Sequence, residues 1–416
     1  MPAGSDQLAL VLREPGFRRL LAARLTGSLG DGLFQAGLAS FALFSPEHAP
    51  SATAIAAGFA ILLLPFTFLG PVTGVLLDRW SRRRVLVIAN LARTTLLVAL
   101  AALLASDHVG PFFIGLYLLA LAGNRLIQAA LGCSLPHVVP ESLLVPANGL
   151  APTLGTICYV IGTGVGAVES GLPALVLASA MYAGAAFAAG RLPWLGPDVT
   201  SVDLTARQEL RNVLDAIIDA RHHLTTRAIT ALATITALRL PVGVLIVMTL
   251  LIERAEKDAG RSALGGLGAV LGASGVGFAL AAVTTPRLVA RIGLPRSVAV
   301  LLWGAAAATL LAIPLTPLAI AASALFVAWT TQGVKICVDT AIQREIGDIY
   351  RGRVFTLYDI MFNCGFVLAT VIAAQFLPAR GASVTALVVM VASFIVIAVA
   401  TRPGWSESRA RPVTAS

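Results

Sequence analysis

The sequence predicts an all-α membrane protein, twelve transmembrane helices in two pseudo-symmetric six-helix bundles. Three observations carry this: an apolar composition, twelve spaced apolar runs, and basic residues gathered on one side of them. Of 416 residues, 57% are hydrophobic and 12% charged, and mean hydropathy is +0.86. A soluble globular chain is nearer a quarter charged, so this composition cannot build a water-facing shell. A span takes roughly 20 residues. The runs fall at 20–44, 53–77, 85–106, 112–135, 148–170, 173–190, 228–252, 264–285, 297–314, 318–342, 354–377 and 382–401.

Lys and Arg set the orientation. One alternating set of segments holds 22 of them, counted with Arg24 and including Arg79, Arg82, Arg83, Arg84, Arg207, Arg211, Arg287, Arg291, Arg351 and Arg353; the other holds only Arg254, Lys257, Arg261 and Arg380. Both termini and the central segment are therefore expected in the cytoplasm, with the chain multi-pass in the inner membrane. Asp6, Arg13, Glu14, Arg18 and Arg19 precede the first run, and no A-x-A-like site follows a short apolar core. The first run accordingly reads as an uncleaved anchor.

The net charge of +9 is distributed in short clusters between apolar runs, which argues for a membrane surface and against nucleic acid. The expected partners are membrane lipids and a small-molecule substrate, with a monomeric chain. Cys133, Cys158, Cys337 and Cys364 sit in apolar stretches without C-x-x-C spacing; they read as small buried hydrophobes, with no metal expected. His48, His108, His137, His222 and His223 lie in loops or at span ends, and there is no H-E-x-x-H or Walker-type loop. Neither an enzyme, a cofactor site nor an ATP-driven pump is indicated.

The expected organisation is an N-terminal bundle over 1–190, a linker over 191–227, and a C-terminal bundle with a short tail over 228–416. Within the linker, Leu210, Val213, Leu214, Ile217 and Ile218 recur at helical spacing among charges, the pattern of an amphipathic helix on the membrane surface. A shift of 208 residues places Arg79 on Arg287, Arg83 on Arg291 and Asp31 on Arg239. Parallel six-span repeats are a transporter architecture with its site at mid-membrane.

The stretch Gly74-Val-Leu-Leu-Asp78-Arg79-Trp-Ser81-Arg82-Arg83 resembles the signature between spans 2 and 3 of the major facilitator superfamily, roughly G-x-L-x-D-R-x-G-R-R, with Ser81 in place of the second glycine. Leu29-Gly30-Asp31, Ala147-Asn148 and Arg351-Gly352-Arg353-Val354-Phe355 look most like the branch holding macrolide-efflux, siderophore-export and lysophospholipid transporters. The resemblance spans nearly the whole chain. It implies secondary transport by alternating access, with export preferred. It also implies a cytoplasmic gate in which Asp78 meets the start of span 11, where a helix N-terminus favours negative charge. Gly74, Arg79, Arg82, Arg83, Arg93 and Arg353 are assigned to that gate, Arg93 and Asp359 as charges near the cytoplasmic ends of spans 3 and 11. Drug–proton antiporters often carry a Gly-Pro-rich stretch in span 5; here Gly155, Gly162, Gly164 and Gly166 supply close packing without its proline, which weakens antiport.

Charges inside a bilayer cost several kcal/mol unless paired or wetted. Asp31, Arg125, Arg239, Lys335 and Asp339 fall on spans 1, 4, 7 and 10, which the resemblance makes cavity helices. Gln35, Asn124, Gln128 and Gln332 add polar lining. Lys335 and Asp339 are four apart and able to pair. Asp31, working against Arg239, is the expected proton-coupling carboxylate, with Asp339 second. Three cations against two carboxylates suit an anionic or zwitterionic amphiphile. The alternative for these charges is inter-half salt bridging without substrate contact. The alternatives for the protein are a ligand-binding sensor or scaffold that does not translocate, and a facilitative importer.

If the topology is right, single cysteines replacing Ser45 and Ser383 will react with an impermeant maleimide from outside intact cells. Reaction from the cytoplasmic side alone would reverse the orientation.

Overall fold

The computed structural model describes residues 4–38, 80–169, 171–193, 195–196, 224–258 and 266–406. The second apolar run, Gly74, Asp78, Arg79 and the amphipathic stretch of the central segment lie outside them. Twelve helices follow in order: α1 (Gly4–Arg13), α2 (Pro15–Gly37), α3 (Arg82–Ala105), α4 (Pro111–Ser134), α5 (Leu144–Val168), α6 (Leu172–Gly190), α7 (Thr226–Asp258), α8 (Gly266–Ile292), α9 (Leu294–Leu310), α10 (Pro317–Glu345), α11 (Asp348–Phe376) and α12 (Val384–Ser406). Among the described residues there is no strand. Helices α2 to α12 correspond to eleven of the twelve apolar runs.

Local chemistry explains where they begin. Helices α2, α4, α6, α9 and α10 carry proline in the first turn, where the missing N–H costs nothing and the fixed φ suits the helix. Helix α2 begins at Pro15, five residues ahead of its apolar run, which sets Arg24 well inside the helix. Ser81, where the chain departs from the glycine of the signature, caps α3 by accepting from the Arg84 N–H at 3.4 Å, satisfying an orphan donor of the first turn.

Among the described residues nine helices are long and apolar enough to cross a membrane, with α9 shorter and apolar. Helix α2 carries Arg18, Arg19, Arg24 and Asp31, charges that need protein rather than lipid around them. Outward-facing positions are large and apolar, among them Val160, Leu318, Phe376 and Val396, an exterior that suits a hydrocarbon solvent.

The packing repeats. Helix α2 packs on α5 and α6, and α3 on α4 and α6; six spans later, α7 packs on α11 and α12, and α9 on α10 and α12. These are the same pairs under a six-span shift, so each half is one copy of a common bundle. The halves meet through α5 and α8, and through α4–α11 and α5–α10, which are themselves equivalent under the shift.

Helices α2 and α5 pack backbone to backbone. A Cβ on Gly32 would strike the backbone at Tyr159 and Thr163, one on Gly162 the backbone at Leu29 and Leu33, and one on Gly166 the backbone of Leu33. Such glycines allow helices to approach closely in a membrane, where packing rather than the hydrophobic effect drives association. Gly155 belongs to the same face, against Arg24, whereas Gly164 has nothing within 4 Å. Helix α5 does contain a proline, Pro152, one turn ahead of Gly155, which corrects the expectation of glycines alone.

Helix α1 has no counterpart in the apolar runs. Val11 is buried while Leu10 and Leu12 are exposed, and α1 touches α2, α5 and α8. It therefore packs on both halves at the end of the molecule where α2 begins, the end carrying the basic clusters, called here the basic end.

Candidate functional site

A cavity of about 410 Å³ lies between the halves, within the usual range for small-molecule sites. Its polar wall comes from α2 (Arg24, Ser28, Asp31), α4 (Asn124, Arg125, Gln128), α5 (Tyr159), α10 (Gln332, Lys335, Asp339) and α11 (Tyr358, Asp359). Of the residues expected there, Asp31, Arg125, Gln128, Gln332, Lys335 and Asp339 are in the wall. Gln35 and Arg239 are not. Gln35 accepts from the Tyr159 hydroxyl at 3.0 Å. The Arg239 guanidinium lies over the rings of Phe362 and Phe366, 3.9 and 4.7 Å from their centroids.

The expected Asp31–Arg239 pair does not form. Asp31 accepts from Arg93 at 2.5 Å and from the Tyr182 hydroxyl at 2.9 Å. Arg93 also hydrogen-bonds Tyr182, donates to the Ala120 carbonyl at 3.1 Å, and lies over the Tyr182 ring at 3.8 Å. Asp31 is 4% exposed and Arg93 1%. The reason is reach: Arg93 projects from the middle of α3 across the bare backbone of Gly123, where a Cβ would come within 3.1 Å of its Cγ. A carboxylate buried this deeply takes the partner inside its own bundle. Arg93 is thus a sealed mid-helix cation and not a gate residue.

Two further pairs face the cavity. Lys335 and Asp339 are joined at 2.5 Å along α10, as their spacing anticipates, and the Lys335 ammonium stands 5.6 Å from the Tyr358 ring centroid. Arg125 on α4 and Asp359 on α11 lie 3.6 Å apart, each about a quarter exposed. That pair joins the halves at cavity level, a role sequence reasoning gave to Asp31 and Arg239.

Toward the basic end the cavity has a polar floor. Asn148 of α5 donates to Gln343 of α10 at 2.6 Å and accepts from it at 3.2 Å, a reciprocal amide pair. Asn148 also donates to Thr340 at 3.1 Å, and Gln343 to the Gly132 carbonyl of α4 at 3.1 Å. Asn148, Thr340 and Gln343 are buried. Phe355 sits on Gly132, Thr153 donates to the Phe278 carbonyl at 3.3 Å, and Arg344 meets Glu141 at 3.4 Å. Among the described residues, the hydrogen bonds and ion pairs joining the halves run from Arg125–Asp359 to the basic end.

Of the expected gate, Gly74, Asp78 and Arg79 lie outside the described residues. Arg82 is buried at the start of α3 and donates to the Leu195 carbonyl at 3.3 Å, tying that helix to the segment after α6. Arg83 is exposed beside it. Arg353 falls in the second turn of α11. Sequence reasoning missed Arg24, counted with the basic flank of span 1, and Gln343, one residue beyond the run of span 10. It also missed Tyr159, Tyr182 and the pairing of Asp359, because it searched only spans 1, 4, 7 and 10 for polar residues. The same search on spans 3, 5, 6 and 11 would have found most of them.

Asp31→Asn should strand Arg93 as a buried unpaired charge and cost about 3 kcal/mol, seen as a lower melting temperature in detergent. Adding Arg93→Met should recover most of the loss. An Asp31→Asn protein that melts like the parent would refute the pairing.

Comparison with known proteins agrees with this architecture. No protein-family model matches the chain. Uncharacterised MFS-type transporters of Mycobacterium tuberculosis and Mycobacterium bovis are each 34% identical over 391 residues, covering 88% of this chain and 86% of theirs. Macrolide efflux protein A of Streptococcus pyogenes is 27% identical over 173 residues, 40% of this chain and 42% of that protein. Among solved structures, a bacterial homologue of the iron transporter ferroportin in an outward-facing state matches with TM-score 0.70 at 16% identity, over 94% of this chain and 99% of that one. The E. coli fucose:proton symporter matches with TM-score 0.68 at 16% identity, over 94% and 98%. The two structures share the fold; the mycobacterial relatives, matched across most of both chains, show that this chain belongs to the major facilitator superfamily of transporters.

Proposed function

We propose that the protein is a secondary active transporter that exports a small amphipathic compound, anionic or zwitterionic, by proton-coupled alternating access. The observation carrying this reading is the charged cavity between two equivalent bundles whose ties, among the described residues, run from cavity level to its basic side. Such an arrangement opens in one direction and must break its floor to open in the other. The two bundles are taken as 1–190 and 228–416, joined by 191–227. The basic end faces the cytoplasm of a cell whose inner membrane holds the protein as a monomer. Export rests on the partial match to a macrolide efflux protein.

Coupling is reassigned. Asp31 stands in the cavity wall but is held by Arg93 and Tyr182 of its own bundle, and Asp339 pairs along its own helix, so rocking of the halves changes neither environment much. Asp359 has its cation on the other half. Separating the halves removes Arg125 and favours protonation of Asp359; closing them favours proton release. Proton occupancy is thereby linked to the conformational equilibrium, as coupling requires.

Inverted vesicles are expected to accumulate anionic or zwitterionic amphiphiles when a proton gradient is imposed. Asp359→Asn should abolish that accumulation and leave downhill exchange measurable. Full gradient-driven accumulation by Asp359→Asn would displace the coupling assignment. Binding without flux across the whole panel would make the protein a sensor or scaffold, and flux indifferent to the gradient a facilitator.

A further inference from the structure

We propose that Arg24 is the residue that receives the acidic group of the transported compound, an oxyanion carried by a carboxylate or phosphate; the proposal rests on the transporter reading above. Three cations stand in the cavity wall: Arg24, Arg125 and Lys335. Arg125 has Asp359 at 3.6 Å and Lys335 has Asp339 at 2.5 Å. Arg24 has no carboxylate within ion-pair distance among the described residues. Its guanidinium makes one long hydrogen bond to a neutral acceptor, Gln128 Oε1, at 3.3 Å, and its Nε is buried without a partner. A guanidinium carries five N–H donors in a fixed fork. One that is half-buried at membrane depth with most of them idle calls for an anion, and the fork matches two oxygens of one carboxylate or phosphate.

The surroundings hold this cation in place. Arg24 lies across Gly155 of α5: a Cβ there would come within 3.1 Å of Arg24 Nε and 3.2 Å of Ser28 Oγ. Glycine therefore leaves the space that the side chain uses. Ser28, one turn along α2, adds a hydroxyl to the same wall. Gln128 on α4 holds the guanidinium from the other side and is itself tied to Asn124 at 3.3 Å. Across the cavity Phe362 of α11 offers an aromatic surface, giving an acidic head and an apolar body separate places. Arg239, an intramembrane cation with no carboxylate at ion-pair distance among the described residues, spends its guanidinium face on Phe362 and Phe366 and stands outside the wall.

Full-length protein in phosphatidylcholine nanodiscs would be titrated calorimetrically with octyl phosphate, octanoate, inorganic phosphate, octyltrimethylammonium and octyl glucoside. The two anionic amphiphiles should bind, inorganic phosphate, the cation and the neutral glucoside far less. Arg24→Gln should weaken both anions by about tenfold or more. Arg24→Lys should keep part of the affinity and lose more for the phosphate, since an ammonium lacks the fork. Gly155→Ala, which keeps every charge and crowds the guanidinium, should also weaken both. If Arg24→Gln fails to fold, these two variants decide. Arg239→Gln should bind anions like the parent. Parent-like anion binding by the Arg24 and Gly155 variants would overturn the assignment. So would failure of the parent to bind either anionic amphiphile, and if vesicles then transport a cationic or neutral compound, the transporter reading stands without it. Anion binding lost with Arg24 but unaccompanied by flux of any compound would uphold the site and overturn the transporter reading.

Discussion

A charge held at membrane depth must be paired, wetted or neutralised, and most of this molecule's internal arrangement follows from how its charges meet that demand. Asp31 and Arg93 meet it inside one bundle, with Tyr182 closing the set. Lys335 and Asp339 meet it along one helix. Arg125 and Asp359 meet it across the gap between bundles. The first two pairs are structural whichever way the halves lean, while the third depends on their separation. Of the three cations in the cavity wall, Arg24 alone has no carboxylate at ion-pair distance among the described residues, which makes it the proposed receiver of an anion.

Close helix packing makes this charge economy possible. Gly32, Gly162 and Gly166 let α2 and α5 meet through their backbones, which brings Arg24, Ser28 and Asp31 into line with the α5 wall. Gly123 gives Arg93 a path to Asp31, and Gly132 gives Phe355 and Gln343 a surface to close on. The floor is built mainly from amides and hydroxyls. Asn148, Thr340 and Gln343 satisfy one another when buried together, and each can hydrogen-bond water when exposed. A contact of that kind separates at lower cost than a buried ion pair, which leaves two bare charges when broken.

The fold was legible because hydropathy and the bias of Lys and Arg act over whole spans and average out local detail. The signature around Asp78 then pointed to the superfamily that the mycobacterial relatives show. The site was legible in kind but not in partners. Asp31 and Arg239 stand at equivalent places in the two repeats, and equivalence relates positions by symmetry without bringing them into contact. Rotation about each helix axis, which decides that Asp31 looks toward Arg93 and Arg239 toward Phe362, leaves no trace in composition or spacing. Arg24 was hidden differently: it stands just inside the edge of its apolar run, close behind Arg18 and Arg19, and so was counted with the basic flank. Asn148 was visible as a motif residue, whereas its partner Gln343 falls one residue beyond the run that would have flagged it.

The central claim is that the contact between α5 and α10 holds the basic end shut and must part during each cycle. Cysteines replacing Asn148 and Gln343, in a chain freed of Cys133, Cys158, Cys337 and Cys364, can be bridged by a short bifunctional thiosulfonate reagent and released with reductant. Flux in reconstituted vesicles should fall to background on bridging and return on reduction, with either single cysteine unaffected by the reagent. A bridged protein that carries substrate at the unbridged rate would contradict the account.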